Sequence, residues 1–139
     1  MKTRHLIILI SSLTLCWCAC KKDGNNPSSI MGKWSVVSDS TFVGVGAGNH
    51  PVNYAGQAGD YFDFRTDGYI YTKEGTAFDT LSYKFVSNNT LTIESFGATF
   101  NGVPATSTIK TWAANSLVIV SPRIFTPGGA TGRTAHLAR

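Results

Sequence analysis

Few side chains in this 139-residue chain are of a type that does chemistry, and spacing tests each of them. The three cysteines stand at 16, 18 and 20. A thiolate is a nucleophile and a soft metal ligand. A cluster confined to the first twenty residues, however, leaves the rest of the chain without a disulfide, a Cys-based zinc site or a Cys nucleophile. Beyond that segment there are two histidines, His50 before Pro51 and His136 before Leu137. Neither has a Cys, a second His or a carboxylate at metal-ligand spacing, so no metal site is expected. Asp60, Asp63 and Asp67 lie close together, but their spacing does not match the D-x-[DN]-x-[DN]-G calcium loop. Asp67 reads as a turn residue and Asp63 as a solvated strand residue. The run Gly44-Val45-Gly46-Ala47-Gly48-Asn49 lacks the glycine at 49 that a G-x-G-x-x-G phosphate turn needs, and no strand–helix unit follows it. There is no Gly-x-Ser-x-Gly elbow. With no nucleophile, acid–base pair or metal assembled, the chain is not expected to be an enzyme or to carry a cofactor.

The position of the cysteines is explained by the start of the chain. Lys2 and Arg4 are followed by an apolar run, Leu6 to Leu15, interrupted only by Ser11, Ser12 and Thr14. It is too short to span a bilayer. A basic start, a short apolar stretch and a small residue before a cut mark a secretory signal. Ala19 precedes Cys20, and the polar run Lys21-Lys22-Asp23-Gly24-Asn25-Asn26 follows. The segment resembles a bacterial lipoprotein signal, in which the residue after the cut is a cysteine that receives lipid. That resemblance implies residues 1–19 as signal peptide and Cys20 as the lipidated N-terminus, carrying palmitate-type acyl chains. It also implies a location in the cell envelope, with the membrane as partner through the lipid. Lys21 after the cysteine is compatible with the outer membrane.

Residues 20–29 read as a polar tether, and 30–139 as one domain. A chain of that size can bury roughly two-thirds of its unfolded surface in one core. Lys2 and Arg4 leave with the signal, so the 12 basic residues fall to 10 against 8 acidic ones, about +2. That balance offers no basic stripe, and nucleic acid is not an expected partner.

No stretch of 30–139 sustains a helical apolar period. Short alternating runs rich in Thr, Val, Tyr, Phe and Ile predict eight antiparallel strands, at 33–39, 60–65, 69–74, 79–86, 90–95, 106–112, 116–121 and 133–138. Three connections, Thr66-Asp67-Gly68, Ser87-Asn88-Asn89 and Ala113-Ala114-Asn115, suit three-residue hairpin loops with a left-handed last residue. The registers that follow pair Phe64 with Ile70, Phe85 with Leu91, Ile109 with Ile119 and Thr111 with Leu117. Each buries one face. The inward set is Trp34, Val36, Phe62, Phe64, Ile70, Leu81, Tyr83, Phe85, Leu91, Ile93, Ile109, Leu117, Ile119 and Leu137. An up-and-down meander of eight such strands has no edges if it closes into a barrel. The Gly-rich stretch 40–59 reads as a flexible first loop, placed to lie across the open mouth.

Gly32-Lys33-Trp34 opens the first strand, within Ile30-Met31-Gly32-Lys33-Trp34-Ser35-Val36-Val37. A Phe62-Asp63-Phe64-Arg65-Thr66-Asp67-Gly68 hairpin and an Asn88-Asn89-Thr90-Leu91-Thr92-Ile93 stretch follow in order. Together they resemble the lipocalins, and more closely the small lipocalin-like lipoproteins of Gram-negative bacteria. The resemblance implies an eight-stranded antiparallel up-and-down barrel. It also implies that Gly32 and Trp34 close one end, with an arginine packed on the Trp. Arg139 is the candidate and Arg123 the alternative.

Such a barrel either fills itself or holds one small ligand. The first reading expects a monomer binding a small hydrophobic molecule, lined by Phe62, Phe64, Ile70, Tyr83, Phe85, Leu91, Ile93, Ile109 and Ile119. The second expects these side chains to fill the barrel, leaving loops and outer face to do the work in a structural or protein-interaction role. Tyr61, Tyr69 and Tyr71 fall on that outer face, where they can pair across strands or meet a partner. The lipid expectation has a direct check. Cys20→Ala should release the protein from membranes, because acyl chains hold it at about 0.8 kcal/mol per buried CH₂. Membrane fractionation and gel mobility read the result, and unchanged retention with unchanged mobility would refute it.

Overall fold

Alternation of apolar and polar side chains, with Gly and Asn between the runs, yields strands throughout. The computed structural model describes residues 29–43, 50–97, 99–100, 102–127 and 129–139, so Cys20, the signal segment and the tether through 28 lie outside the described residues. The described elements are β1 (Gly32–Val43), β2 (His50–Ala55), β3 (Tyr61–Phe64), β4 (Tyr69–Glu74), β5 (Ala77–Ser87), β6 (Thr90–Ile93), β7 (Thr99–Phe100), β8 (Val103–Pro104), β9 (Thr106–Ala113), β10 (Ser116–Val120), β11 (Ile124–Thr126) and β12 (Gly129–Ala138). Antiparallel pairing runs β1–β3–β4–β5–β6–β9–β10–β12 and returns from β12 to β1. Eight strands therefore close into the all-β antiparallel barrel that the patterning predicts. The closing seam is long, from Ser35 opposite Ala138 to Phe42 opposite Gly132, with a register shift between Val36 and Ser38.

The stretch 40–59 is not one loop. β1 continues to Val43 and pairs with β2, Ser38 opposite Ala55 and Phe42 opposite Pro51. Residues 44–49 lie outside the described residues. β11 likewise pairs with the start of β12, and β7 with β8 in a separate short hairpin. The expected strand 90–95 ends at Ile93, because Ser95 adopts φ 57° and turns the chain so that Phe96 enters the core. The return from β2 to the barrel is held close by Gly56. A Cβ there would lie 1.9 Å from the Val36 carbonyl oxygen, so only glycine permits this approach.

The first two hairpins pair as the side-chain pattern requires, Phe64 opposite Ile70 and Phe85 opposite Leu91. Gly68 closes the first with φ 85°. The other two turns differ from expectation, since Asn89 and Asn115 are not left-handed. Each is a two-residue turn, with Ser87 opposite Thr90 and Ala113 opposite Ser116. Turns at negative φ match strand twist poorly, and a bulge takes up the mismatch. In the β5–β6 hairpin it falls at Val86, so the remaining pairs keep the expected register. In the β9–β10 hairpin it falls at Lys110. Trp112, not Thr111, stands opposite Leu117, and Thr111 stands opposite Val118, while Ile109 still faces Ile119.

At one end the barrel is closed by Trp34, which is fully buried. Its indole Nε1–H donates to the Ile30 carbonyl at 2.8 Å. The Arg139 guanidinium lies 3.9 Å from its ring and donates to the carbonyls of Ile30 and Met31. Gly32 passes beneath with φ 99°, a conformation that favours glycine, and a Cβ there would meet Arg139 Nη2 at 3.5 Å. Arg123 is elsewhere, stacked 3.3 Å from the Phe42 ring centroid. Trp34→Ala should therefore destabilise the fold by about 3–5 kcal/mol, the usual range for a buried Trp. A urea titration would measure it, and a change below about 1 kcal/mol would mean the ring does not close the barrel.

Candidate functional site

The nine residues expected to line a ligand cavity all belong to the packed core or pack against it. Phe62, Ile70, Leu91 and Ile119 have no exposed surface, Phe64 and Ile93 are 1% exposed, and Ile109 is 6% exposed. A cavity that admitted even one water would expose the atoms lining it. The side chains instead occupy that volume. Phe62 meets Phe96 edge-on at 6.5 Å, and Phe64 meets Tyr83 edge-on at 5.5 Å. Tyr83 and Phe85 are half-buried against the same core, and Phe85 stacks on Trp112 at 6.4 Å. The Tyr83 hydroxyl donates to the Arg65 carbonyl at 2.9 Å, so it is committed to the β3–β4 turn and is not a polar handle inside. The ring filling the interior beside Phe62 is Phe96, outside any expected strand and hence absent from the expected inward set.

Opposite Trp34, the filling turns polar. Arg133 Nε donates to Asp39 Oδ2 at 2.8 Å, and Nη2 donates to Glu74 Oε2 at 2.7 Å. Its guanidinium lies 4.9 Å from the Phe96 ring and 5.5 Å from Phe62. Glu74 Oε1 is buried without a hydrogen-bond partner, and burial pushes the Glu74 carboxyl above the usual range against the pull of Arg133. Beside it, Asp60 is buried and accepts from the Tyr54 hydroxyl and from the Gln57 and Gly75 amides at 2.8 and 2.9 Å. The Tyr54 hydrogen bond, followed by the Gln57 amide, holds Asp60 below the usual carboxylate range. The same bond pushes Tyr54 up to about 12. Asp60 thus ties β2, the 56–59 return and the β4–β5 turn together at this rim. Its chemistry is that of a structural acceptor.

Sequence reading missed this rim, although a signal existed. Glu74 alternates in phase with Ile70 and Thr72, and Arg133 in phase with Ala135 and Leu137. Two opposite charges at inward positions predict a buried pair. Asp39 carried no such signal, because the register shift between Val36 and Ser38 changes the phase of β1.

Outside the barrel, Asp67 Oδ1 accepts the Tyr69 amide at 3.0 Å and Oδ2 accepts the Tyr71 hydroxyl at 3.1 Å, which makes it a turn residue. Asp63 pairs with Arg65 at 3.0 Å. Arg65 also lies 4.3 Å over Tyr71, and Lys33 lies 4.0 Å over Tyr61. His136 is exposed, opposite Ser38 and Val118. Among the described residues no group of three or more His, Cys, Asp or Glu side chains could hold a metal ion. Fold and packing thus define a class: closed antiparallel barrels of eight strands filled by their own side chains. No known protein family matches the chain, and neither a characterised protein nor a solved structure matches it.

The two rim carboxyls make opposite contributions to pH dependence. Asp60 is held low in the fold, so its contribution is full above the unfolded value near 4 and is lost as pH falls through the folded value. Glu74 is held high, so its charged form weighs against the fold, and that penalty grows as pH rises from about 4.3 through the folded value. Asp60→Asn should lower the urea midpoint at pH 7, with the difference from wild type vanishing at low pH. Glu74→Gln keeps an acceptor for Arg133 and should raise the midpoint at pH 7, the gain disappearing below about pH 4. Midpoints measured from pH 3 to 8 would test both, and equal, pH-independent shifts would contradict the assignment.

Proposed function

We propose that the chain is a lipid-anchored protein of the cell envelope whose barrel is a filled, rigid platform, acting through its outer face and rim and holding no internal ligand. The observation that carries this reading is the closed interior. Phe62, Phe64, Ile70, Leu91, Ile93 and Ile119 are at most 1% exposed, and Phe96 adds a ring to the same core. A small hydrophobic molecule would have to displace packed aromatic side chains, and protein interiors yield little volume without strain. Anchoring rests on the Ala19-Cys20 junction and the polar tether after it. Ser29 and Ile30 reach the barrel at the Trp34 end, where the Arg139 guanidinium holds their carbonyls. Ser29 therefore sits at the closed pole, and the Val43 end of β1 and the β4–β5 turn lie at the other.

Thermal unfolding against a fatty acid, a sterol and a tetrapyrrole tests the absence of a ligand. No shift in Tm is expected for any of them. A ligand at a hundred times its Kd would stabilise the fold by about 2.7 kcal/mol, so a rising Tm would overturn this reading. Phe85→Trp should destabilise by about 1–3 kcal/mol, since the ring already packs between Tyr83 and Trp112.

A further inference from the structure

We propose that the outer face of β3, β4 and β5 is a docking surface for an uncharged oligosaccharide chain, which names a partner class for the platform reading above and rests on it. Strand register assembles this face. Tyr61, Lys73 and Phe78 form one cross-strand row, and Asp63, Tyr71 and Thr80 form the next. Phe78 is 71% exposed on β5, opposite Lys73 of the central strand β4, and a ring of that size left open on a sheet face marks a contact surface. Between the rows lies an open depression of about 380 Å³, lined by Tyr61, Tyr71, Thr72, Phe78, Asp79 and Thr80. That size falls within the range of small-ligand sites.

Two rings of the depression are held in place. Lys33 lies over Tyr61, and Tyr71 is fixed by Arg65 over its ring and by its hydroxyl bond to Asp67. Rings held this way lose little conformational entropy on binding. Charge then selects the occupant. Lys33, Arg65, Lys73 and Lys84 on and beside the face are matched by Asp63, Asp67, Asp79 and Glu94. No net field of either sign draws a nucleic acid, an anionic bilayer or a basic peptide. What the face offers is apolar ring surface interleaved with hydroxyl, carboxylate and ammonium groups. A pyranose presents the complement, with a C–H face for the exposed Phe78 ring and hydroxyls for the polar groups beside it. A purely apolar ligand would leave those polar groups desolvated. The Phe78 row also lies towards the pole away from Trp34, and Ser29 lies at the Trp34 pole.

Isothermal titration of the full-length protein, purified in a detergent without a sugar headgroup, would use cellohexaose, chitohexaose and maltohexaose as probes. Saturable binding of at least one is expected, with Phe78→Ala weakening it about tenfold or more, as loss of an aromatic anchor does. Phe125→Ala, which removes an exposed ring from β11, should leave affinity unchanged, and circular dichroism should show both variants folded. No binding to any probe at millimolar concentration, or binding indifferent to Phe78→Ala, would overturn the proposal. So would a Phe78-dependent dimer that binds no sugar, which would make the face a contact between copies. A hydrophobic ligand that raises Tm would overturn the platform reading instead, so the two failures are distinguishable.

Discussion

An eight-stranded barrel is narrow enough for its inward side chains to fill, and everything else in this protein follows from how that volume is filled. Trp34 and Phe64 take one end, Phe62 and Phe96 the middle, and the guanidinium of Arg133 the far end. These five ring or guanidinium groups belong to the filling of the interior. The polar end is the least comfortable part of the arrangement. Arg133 faces two carboxylates, one of which keeps a buried oxygen without a partner. A buried ion pair of this kind adds little net stability beside well-packed apolar residues. Its evident physical role is to end the apolar filling where the strands open towards the β1–β2 and β4–β5 connections.

Much of this filling was legible in the sequence. Alternation within each strand placed all of the expected inward residues on the core side, because burying one face leaves a period-two record that no turn can erase. The closing pair was legible through Gly32-Lys33-Trp34 and an arginine at 139. Turn geometry was less legible. Asn89 and Asn115 looked like left-handed turn residues, yet both hairpins use tighter turns and move the irregularity to the second and the fourth strand residue before the turn, Val86 and Lys110. In β9 the cost of the mistake was local, because the bulge at Lys110 restores Ile109 opposite Ile119 and only the residues from Lys110 to Ala113 change partners.

What the sequence hid was set by contacts distant along the chain. Phe96 sits in no alternating run, and its burial depends on the backbone reversal at Ser95. β2 was masked by the glycines before it and by Pro51, both of which argue against a strand. Its place is fixed by pairing with an unusually long β1 and by Gly56 lying against Val36. The sites on the outer face were half legible. The tyrosines of β3 and β4 were assigned outward, but the exposure of Phe78 beside them depends on the register of the β4–β5 hairpin, where it stands opposite Lys73.

The seam between β1 and β12 bears on how the chain reaches this state. Most other barrel pairings are hairpins or near neighbours in sequence, which form early because little chain entropy is lost in closing them. The seam joins residues at opposite ends of the domain, and Arg139 reaches Ile30 only when the last strand has arrived. Until then the meander is an open sheet with two unpaired edges and its aromatic face uncovered. During synthesis, with the amino terminus leading, that aggregation-prone interval lasts as long as the carboxyl end takes to emerge.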